Sequence, residues 1–359
     1  MDTNNPVTSL PLNTIRHGDC IEILGTLPAN SVDLIFADPP YNLQLRNELY
    51  RPNMTKVNAV EDSWDKFDGF KEYDAFTTKW LRSCQRVLKE AGTIWVIGTY
   101  HNIYRVGAIM QDLGFWLLND ILWIKTNPMP NFRGVRFTNA HETMIWAQKK
   151  KGAKYTFNHK SMKKLNDDLQ MRSDWTLPLV NGKQRIKSNG TKAHSTQKPE
   201  GLLYRVIMSS SNAGDVILDP FFGSGTTGAV AKKLGRNWIG IERDKRYIPM
   251  AQKRIDAITT APDEILSLPE IRRQIRIPFG SLVENGLLNP GQILYFAKNG
   301  KKAKVLANGH IKSGETTGSI HFVARSLMNG APVNGWDVWF YKDAKGNKIV
   351  IDELRGKNR

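Results

Sequence analysis

From Asp215 to Ile258 the chain alternates apolar runs and helix-length segments in a way that few architectures accommodate. Asp215-Val216-Ile217-Leu218-Asp219 is a short apolar run, a glycine-rich turn follows, and a helix continues through Leu234. Asn237–Glu242 is a second apolar run, and another helix extends to Ile258. Strands and helices in this succession form a doubly wound, mostly parallel α/β sheet, with ligands bound beyond the strand carboxyl ends.

The alternation recurs upstream. Ser31–Ala37 is an apolar run ending in a proline-rich turn, as expected of a buried parallel strand whose end carries chemistry. Phe76, Trp80, Leu81, Cys84, Val87 and Leu88 recur at helical spacing, and Gly92 is expected to close that helix before a strand at Thr93–Ile97. A helix over Ile103–Leu113 leads through Gly114 to apolar runs at Phe115–Ile124 and Thr143–Ala147. Between about 128 and 195 the pattern dissolves into basic, Asn-rich and Pro-containing sequence, read as an insertion of surface loops. Residues 1–259 then make one domain, 260–270 a linker containing Pro262 and Pro269, and 271–359 a second, small domain.

Charge points to a partner. The 359 residues carry 51 Lys plus Arg against 34 Asp plus Glu, a formal charge of +17. Residues 271–359 hold 15 basic and 6 acidic residues, so +9 of that excess lies in the tail. An excess of this size favours a polyanion through phosphate neutralisation and counterion release. Trp336, Trp339, Phe340 and Tyr341 lie among these charges and suit either stacking on nucleic-acid bases or a small core. No run approaches the roughly 18–20 apolar residues of a membrane span. The start MDTNNPVTSL lacks the regions of a signal peptide, so a cytoplasmic location is expected. Cys20 and Cys84 form no close pair, and His141-Glu142 is followed by Ile145 where a zinc motif needs its second His, so no metal is expected.

Two segments carry chemistry. In Asp219-Pro220-Phe221-Phe222-Gly223-Ser224-Gly225-Thr226-Thr227, glycines between strand and helix let the backbone approach a ligand, although a plain connecting turn reads the same way. No Lys follows to make a phosphate loop, and the third glycine of the dinucleotide fingerprint is missing. Glu242, 19 residues beyond Gly223 at the next strand end, is placed to accept from two ribose hydroxyls, so a nucleoside ligand is implied. In Asp38-Pro39-Pro40-Tyr41, successive prolines fix the backbone so that the Asp38 carboxylate and the Pro39 carbonyl converge on one amine. Tyr41 offers a flat face to an extruded base.

The Asp219–Thr227 segment resembles the S-adenosylmethionine-binding motif of DNA amino-methyltransferases. Gly18-Asp19-Cys20 and Gln197-Lys198-Pro199 resemble further elements of that family. The resemblance implies that Asp19, Cys20, Asp38, Lys198, Asp219, Phe221, Phe222, Gly223, Ser224, Gly225, Thr226, Thr227 and Glu242 bind S-adenosylmethionine. Asp38, Pro39, Pro40 and Tyr41 would then be catalytic. Asp19 also reads as an ordinary turn residue and Lys198 as part of a helix start. The catalytic segment precedes the cofactor segment, which resembles the permuted β-group, and Asp at position 38 leans towards adenine N6 over cytosine N4.

The Asp38–Leu45 run, Arg51-Pro52, Trp64-Asp65, Phe132–Glu142 and the basic tail together resemble the cell-cycle-regulated adenine methyltransferases of the CcrM type. That resemblance implies a homodimer associated with the nucleoid. It also implies action on the adenine of GANTC in double-stranded DNA, without a partner nuclease. Asn42, Leu43, Leu45, Arg46, Arg133 and Arg136 are the candidates for DNA contact, and Leu43 or Leu45 either wedges into the base stack or caps the core. A cytosine-N4 or RNA amino-methyltransferase is the alternative enzyme. A non-enzymatic DNA-binding regulator would not need to keep Asp38, Tyr41, Gly223 and Glu242 together.

Overall fold

A computed structural model describes residues 9–42, 67–131, 134–180, 187–188, 191–192, 197–260, 278–343 and 346–357. The chain divides into two compact units, Met1–Leu268 and Pro269–Arg359.

In the first unit the strands are β1 (Thr14–His17), β2 (Val32–Ala37), β3 (Leu88–Gly98), β4 (Trp116–Lys125), β5 (His141–Gln148), β6 (Asp174–Leu177), β7 (Lys187–Ser188), β8 (Thr191–Lys192), β9 (Val216–Asp219) and β10 (Asn237–Glu242). The helices are α1 (Cys20–Thr26), α2 (Phe70–Val87), α3 (Ile103–Asp112), α4 (His159–Lys164), α5 (Glu200–Ser210), α6 (Thr226–Lys233) and α7 (Ile248–Asp256). Eight strands form one sheet in the order β1-β10-β9-β2-β3-β5-β4-β6, while β7 and β8 pair separately. Only β5 runs against its neighbours in that sheet.

Alternate residues of a strand face opposite sides, and β2 shows why this sheet needs helices on both. Ile35 and Ala37 join a core with Leu24, Trp80, Leu81, Cys84, Val106 and Met110 of α1–α3. Leu34 and Phe36 join the other, with Leu202, Val206, Ala229, Val230 and Ile255 of α5–α7. Both cysteines are buried free thiols in the first core.

Two sequence expectations are corrected here. Helix α2 ends at Val87 and Gly92 lies inside β3, where the β2–β3 register shifts between Val32 and Leu34. A Cβ on Gly92 would stand 2.8 Å from the Leu88 side chain and 3.0 Å from the Asp33 carbonyl, so this glycine marks strand irregularity rather than a helix end. The 128–195 insertion is not all surface loop, because β6 adds the eighth strand beside β4. The sheet also begins earlier than its apolar runs suggest: β1 is four mostly exposed residues at the sheet edge, held by pairing with β10 rather than by apolar patterning.

The second unit is a six-stranded antiparallel sheet in the order β14-β13-β12-β11-β15-β16. It is built from β11 (Ile293–Phe296), β12 (Lys302–Val305), β13 (Ile311–Ser313), β14 (Thr316–Gly318), β15 (Trp339–Lys342) and β16 (Lys348–Val350). Helices α8 (Phe279–Glu284), α9 (Ile320–Leu327), α10 (Gly335–Val338) and α11 (Glu353–Lys357) accompany it. Trp336, Trp339 and Tyr341 are buried in its core with Phe279, Phe296 and Val323, and the Trp339 indole N–H donates to the Ile320 carbonyl at 3.0 Å. Of the two readings of these aromatics, the core holds for those three, so they do not stack on bases.

Candidate active site

Strands β9 and β2 are neighbours, with Ile35 level with Leu218, so their ends deliver Asp219 and Asp38 to the same edge of the sheet. From this point the chain winds outward in both directions, which leaves a crevice beyond the carboxyl ends. The crevice has a volume of about 790 Å³ and is lined by Gly18, Asp19, Cys20, Asp38, Pro40, Phe221, Gly223 and Glu242, together with His17, Phe67, Phe76 and Tyr247.

The glycine turn holds one side. Gly225 caps α6 in the left-handed region (φ 72°), and a Cβ there would lie 2.8 Å from that of Ala251. Gly223 N donates to Glu242 Oε2 at 2.7 Å, and Asp244 N to Oε1 at 2.7 Å. Burial pushes the Glu242 carboxyl above its ordinary value despite these donors. Asp219 is fully enclosed: Oδ1 accepts from Phe221 N at 2.9 Å and Oδ2 from Thr227 Oγ1 at 2.6 Å. Burial raises its pKa to about 7 against those hydrogen bonds. Thr226 Oγ1 donates to the Lys198 carbonyl at 3.4 Å, and Arg254 donates to the same hydroxyl at 2.8 Å. Thr226, Thr227, Ser224 and Phe222 thus build the turn and line a small side cavity of about 30 Å³. The Phe222 ring turns to the core and stacks on Trp238 at 5.4 Å, filling space that a Cβ on Gly240 would occupy. Asp19 caps α1, with Oδ1 accepting from Ile21 N at 2.8 Å, and it also lines the crevice.

The Asp38–Tyr41 segment faces it. Asp38 Oδ1 accepts from the Tyr41 hydroxyl at 2.9 Å, and Lys198 Nζ lies 2.6 Å from Oδ2. The Lys198 ammonium also sits 5.4 Å above the centre of the Tyr41 ring. The Tyr41 hydroxyl is 3.1 Å from Glu142 Oε2, Lys198 is 3.9 Å from that oxygen, and Lys125 is 3.0 Å from Oε1. Two ammonium groups and two carboxylates therefore balance in a largely dry cluster, which offsets the cost of burying any one of them. Burial raises the Asp38 pKa against the pull of Lys198. For Lys198, burial works against the charge, but Asp38 and Glu142 more than offset it and its pKa lies above the ordinary value.

A second chain of contacts fixes the backbone of the motif. The buried Tyr73 hydroxyl donates to the Pro40 carbonyl at 3.0 Å, Asn102 Nδ2 donates to Tyr73 at 3.2 Å, and Asn102 Oδ1 accepts from Thr99 N at 3.0 Å. Sequence reasoning missed Glu142, Lys125, Tyr73 and Asn102. Each arrives from a different element, and the one available signal was a charged residue beside an apolar strand, as at Lys125 and Glu142.

Among the DNA-contact candidates, Asn42 is buried with φ 53°, and Arg136 is exposed with Nη1 donating to the Tyr100 hydroxyl at 3.1 Å. Leu43, Leu45, Arg46 and Arg133 lie outside the described residues.

Comparisons with known proteins identify the family. The N6_N4_Mtase family, described as DNA methylase, matches residues 32–253, and RAMA, "Restriction Enzyme Adenine Methylase Associated", matches residues 263–357. The type II methyltransferase M.HinfI of Haemophilus influenzae is 53% identical over 345 residues, covering 96% of each chain. The type II methyltransferase M2.DpnII of Streptococcus pneumoniae is 45% identical over 242 residues, covering 67% of this chain and 88% of its own. Among solved structures, the M1.HpyAVI–SAM complex matches with TM-score 0.51 and 28% identity over 68% of this chain and 98% of that one. The cytosine-N4-specific PvuII DNA methyltransferase shares the fold, with TM-score 0.53 and 21% identity over 70% of this chain and 89% of that one. These relatives correct the CcrM-type resemblance: near-full-length identity is to a type II methyltransferase, and the orphan status read from that resemblance loses its support. The chain belongs to the N6/N4 DNA methylase family.

Proposed function

We propose that this protein transfers a methyl group from S-adenosylmethionine to N6 of adenine in double-stranded DNA, at GANTC sites. The observation that carries the reading is the Asp38–Tyr41 cluster opening onto the same crevice as Gly223 and Glu242. The 28%-identical relative solved with SAM supports the cofactor.

The crevice residues fit that molecule. Each Glu242 oxygen accepts one backbone N–H and keeps a further lone pair, so the carboxylate suits a pair of ribose hydroxyls. Phe221 and Phe76 supply apolar wall, and Asp19 supplies an acceptor for an exocyclic amine. When bound, S-adenosylmethionine supplies an electrophilic methyl group and would leave as S-adenosylhomocysteine, and the Asp38 carboxylate would take the proton that the methylated amine sheds. The N6 lone pair of adenine is delocalised into the ring, so the amine is a poor nucleophile. Asp38 and the Pro39 carbonyl accept its two N–H groups and favour a localised lone pair, while Lys198 favours the anionic Asp38 that accepts. Transfer is direct: burial pushes the Cys20 thiol up to about 12 and Cys84 well above its ordinary value, so neither is a thiolate nucleophile at neutral pH.

The second unit is proposed as the DNA-tracking module. Lys302, Lys304, Lys312, Lys342 and Lys348 are exposed on paired strands, with Lys304 opposite Lys312 and Lys342 opposite Lys348. Lys342 and Lys348 flank the ring of Tyr295 at 5.4 and 5.7 Å. Like charges facing each other across strands repel, and a phosphate backbone relieves that repulsion. Nucleoid association follows from this reading, and a homodimer is proposed with it. Light scattering should give twice the 40.7 kDa chain mass, and a monomer would contradict the dimer.

Sequence preference is tested with labelled S-adenosylmethionine and duplexes carrying GANTC, GATC or neither. Label confined to the GANTC duplex is expected, and equal label on all three refutes site specificity.

A further inference from the structure

The Tyr41 hydroxyl has one hydrogen and two carboxylate acceptors, Asp38 Oδ1 at 2.9 Å and Glu142 Oε2 at 3.1 Å. A phenol donates once, so one acceptor goes without at any moment. Resting on the reading of Asp38 as acceptor of the target amine, we infer that Glu142 is a positioning residue that takes the Tyr41 hydrogen bond when Asp38 turns to its substrate.

Asp38 has two demands on it. Oδ2 holds the Lys198 ammonium and one lone pair of Oδ1 faces the Tyr41 phenol, so each oxygen is a weaker acceptor for an incoming N–H while its present partner stays. In the free enzyme Asp38 Oδ1 and Glu142 Oε2 share the Tyr41 phenol, at 2.9 and 3.1 Å. The hand-over to Glu142 frees Asp38 Oδ1, keeps the buried phenol satisfied and leaves the ring in place to stack. Leaving a buried donor without a partner would instead oppose substrate entry.

The surroundings hold Glu142 to this task. Lys125 anchors Oε1 at 3.0 Å, so Oε2 points to Tyr41, with Lys198 at 3.9 Å. The glutamate comes from the start of β5, which pairs with β3, so its position is set by the sheet and not by the Asp38–Tyr41 loop. These three groups, Tyr41, Lys125 and Lys198, are the charged and titratable partners that face it among the described residues.

The arrangement makes Glu142→Gln informative. Lys125 selects the amide oxygen, so the amide NH₂ faces Tyr41 and donates to it. The phenol hydrogen is then confined to Asp38. Single-turnover methylation of an adenine-containing duplex should fall about tenfold or more, the cost of one hydrogen bond to a charged group. KM for DNA and binding of S-adenosylmethionine should stay near wild type.

Tyr41→Phe keeps the ring and removes the competing hydrogen. In that background, adding Glu142→Gln should change the rate by less than about twofold, because Asp38 Oδ1 is already free. A Glu142→Gln enzyme as fast as wild type overturns the inference, and so do two substitutions whose losses multiply. If wild type itself yields no N6-methyladenine, the functional reading fails and not this one. Thermal melting of each variant separates a folding defect from a failed hand-over, and the Tyr41→Phe pair provides the decisive comparison if Glu142→Gln melts early.

Discussion

At the residue scale, Asp38 and Asp219 are two buried carboxylates put to different uses by their partners. Asp38 has an ammonium group beside it, and Asp38→Ala should reduce methyl transfer by ~10²-fold or more while leaving S-adenosylmethionine binding nearly intact, as measured by calorimetry and single-turnover rates. Among the described residues Asp219 accepts hydrogen bonds from a hydroxyl and a backbone N–H, and burial lifts its pKa to about 7. At Asp219 the folded protein therefore holds a proton that the unfolded chain releases near pH 4, so this residue's contribution to stability is fully present below that pH and declines as pH rises towards 7. The decline should be on the order of a few kcal/mol, and Asp219→Asn should flatten it. Melting temperatures of both proteins between pH 4 and pH 7 check this, and equal slopes would contradict it.

At the scale of elements, the strand ends explain which parts of the site are legible in the sequence. Strand β2 is an apolar run followed directly by Asp38, and β9 and β10 end in Asp219 and Glu242, so their chemistry stands next to a strong local pattern. Glu142 gives no such signal: it lies 101 residues from Tyr41, and only the pairing of β5 with β3 brings them together. Tyr73 on α2 and Asn102 before α3 are equally silent, since a helix periodicity marks Tyr73 as core without saying that its hydroxyl reaches Pro40. Tyr73→Phe should leave the fold in place, because the ring stays buried, yet lower the transfer rate by about 3- to 10-fold as the Pro40 carbonyl loses its donor. An unchanged rate would mean that the two prolines alone fix the motif.

At the scale of the whole molecule, the first unit is legible because long βα alternation specifies a parallel sheet, whereas the second is legible only as charge. Its strands of three or four residues carry too few alternations to stand out, and its aromatics serve the core. Replacing Lys302, Lys304, Lys312, Lys342 and Lys348 by Gln should weaken DNA binding. The slope of log affinity against log salt should become shallower by about 0.9 for each phosphate no longer neutralised, and an unchanged slope would remove the sheet face from the DNA interface. The central claim is that the Asp38–Tyr41 cluster presents adenine N6 to a methyl donor held by the crevice. Its most direct test is nucleoside analysis of duplex DNA after incubation with methyl-labelled S-adenosylmethionine. All of the label should appear in N6-methyladenine, accumulating ~10²-fold or more slowly with Asp38→Ala, and label in N4-methylcytosine, or in no nucleoside, would contradict the account.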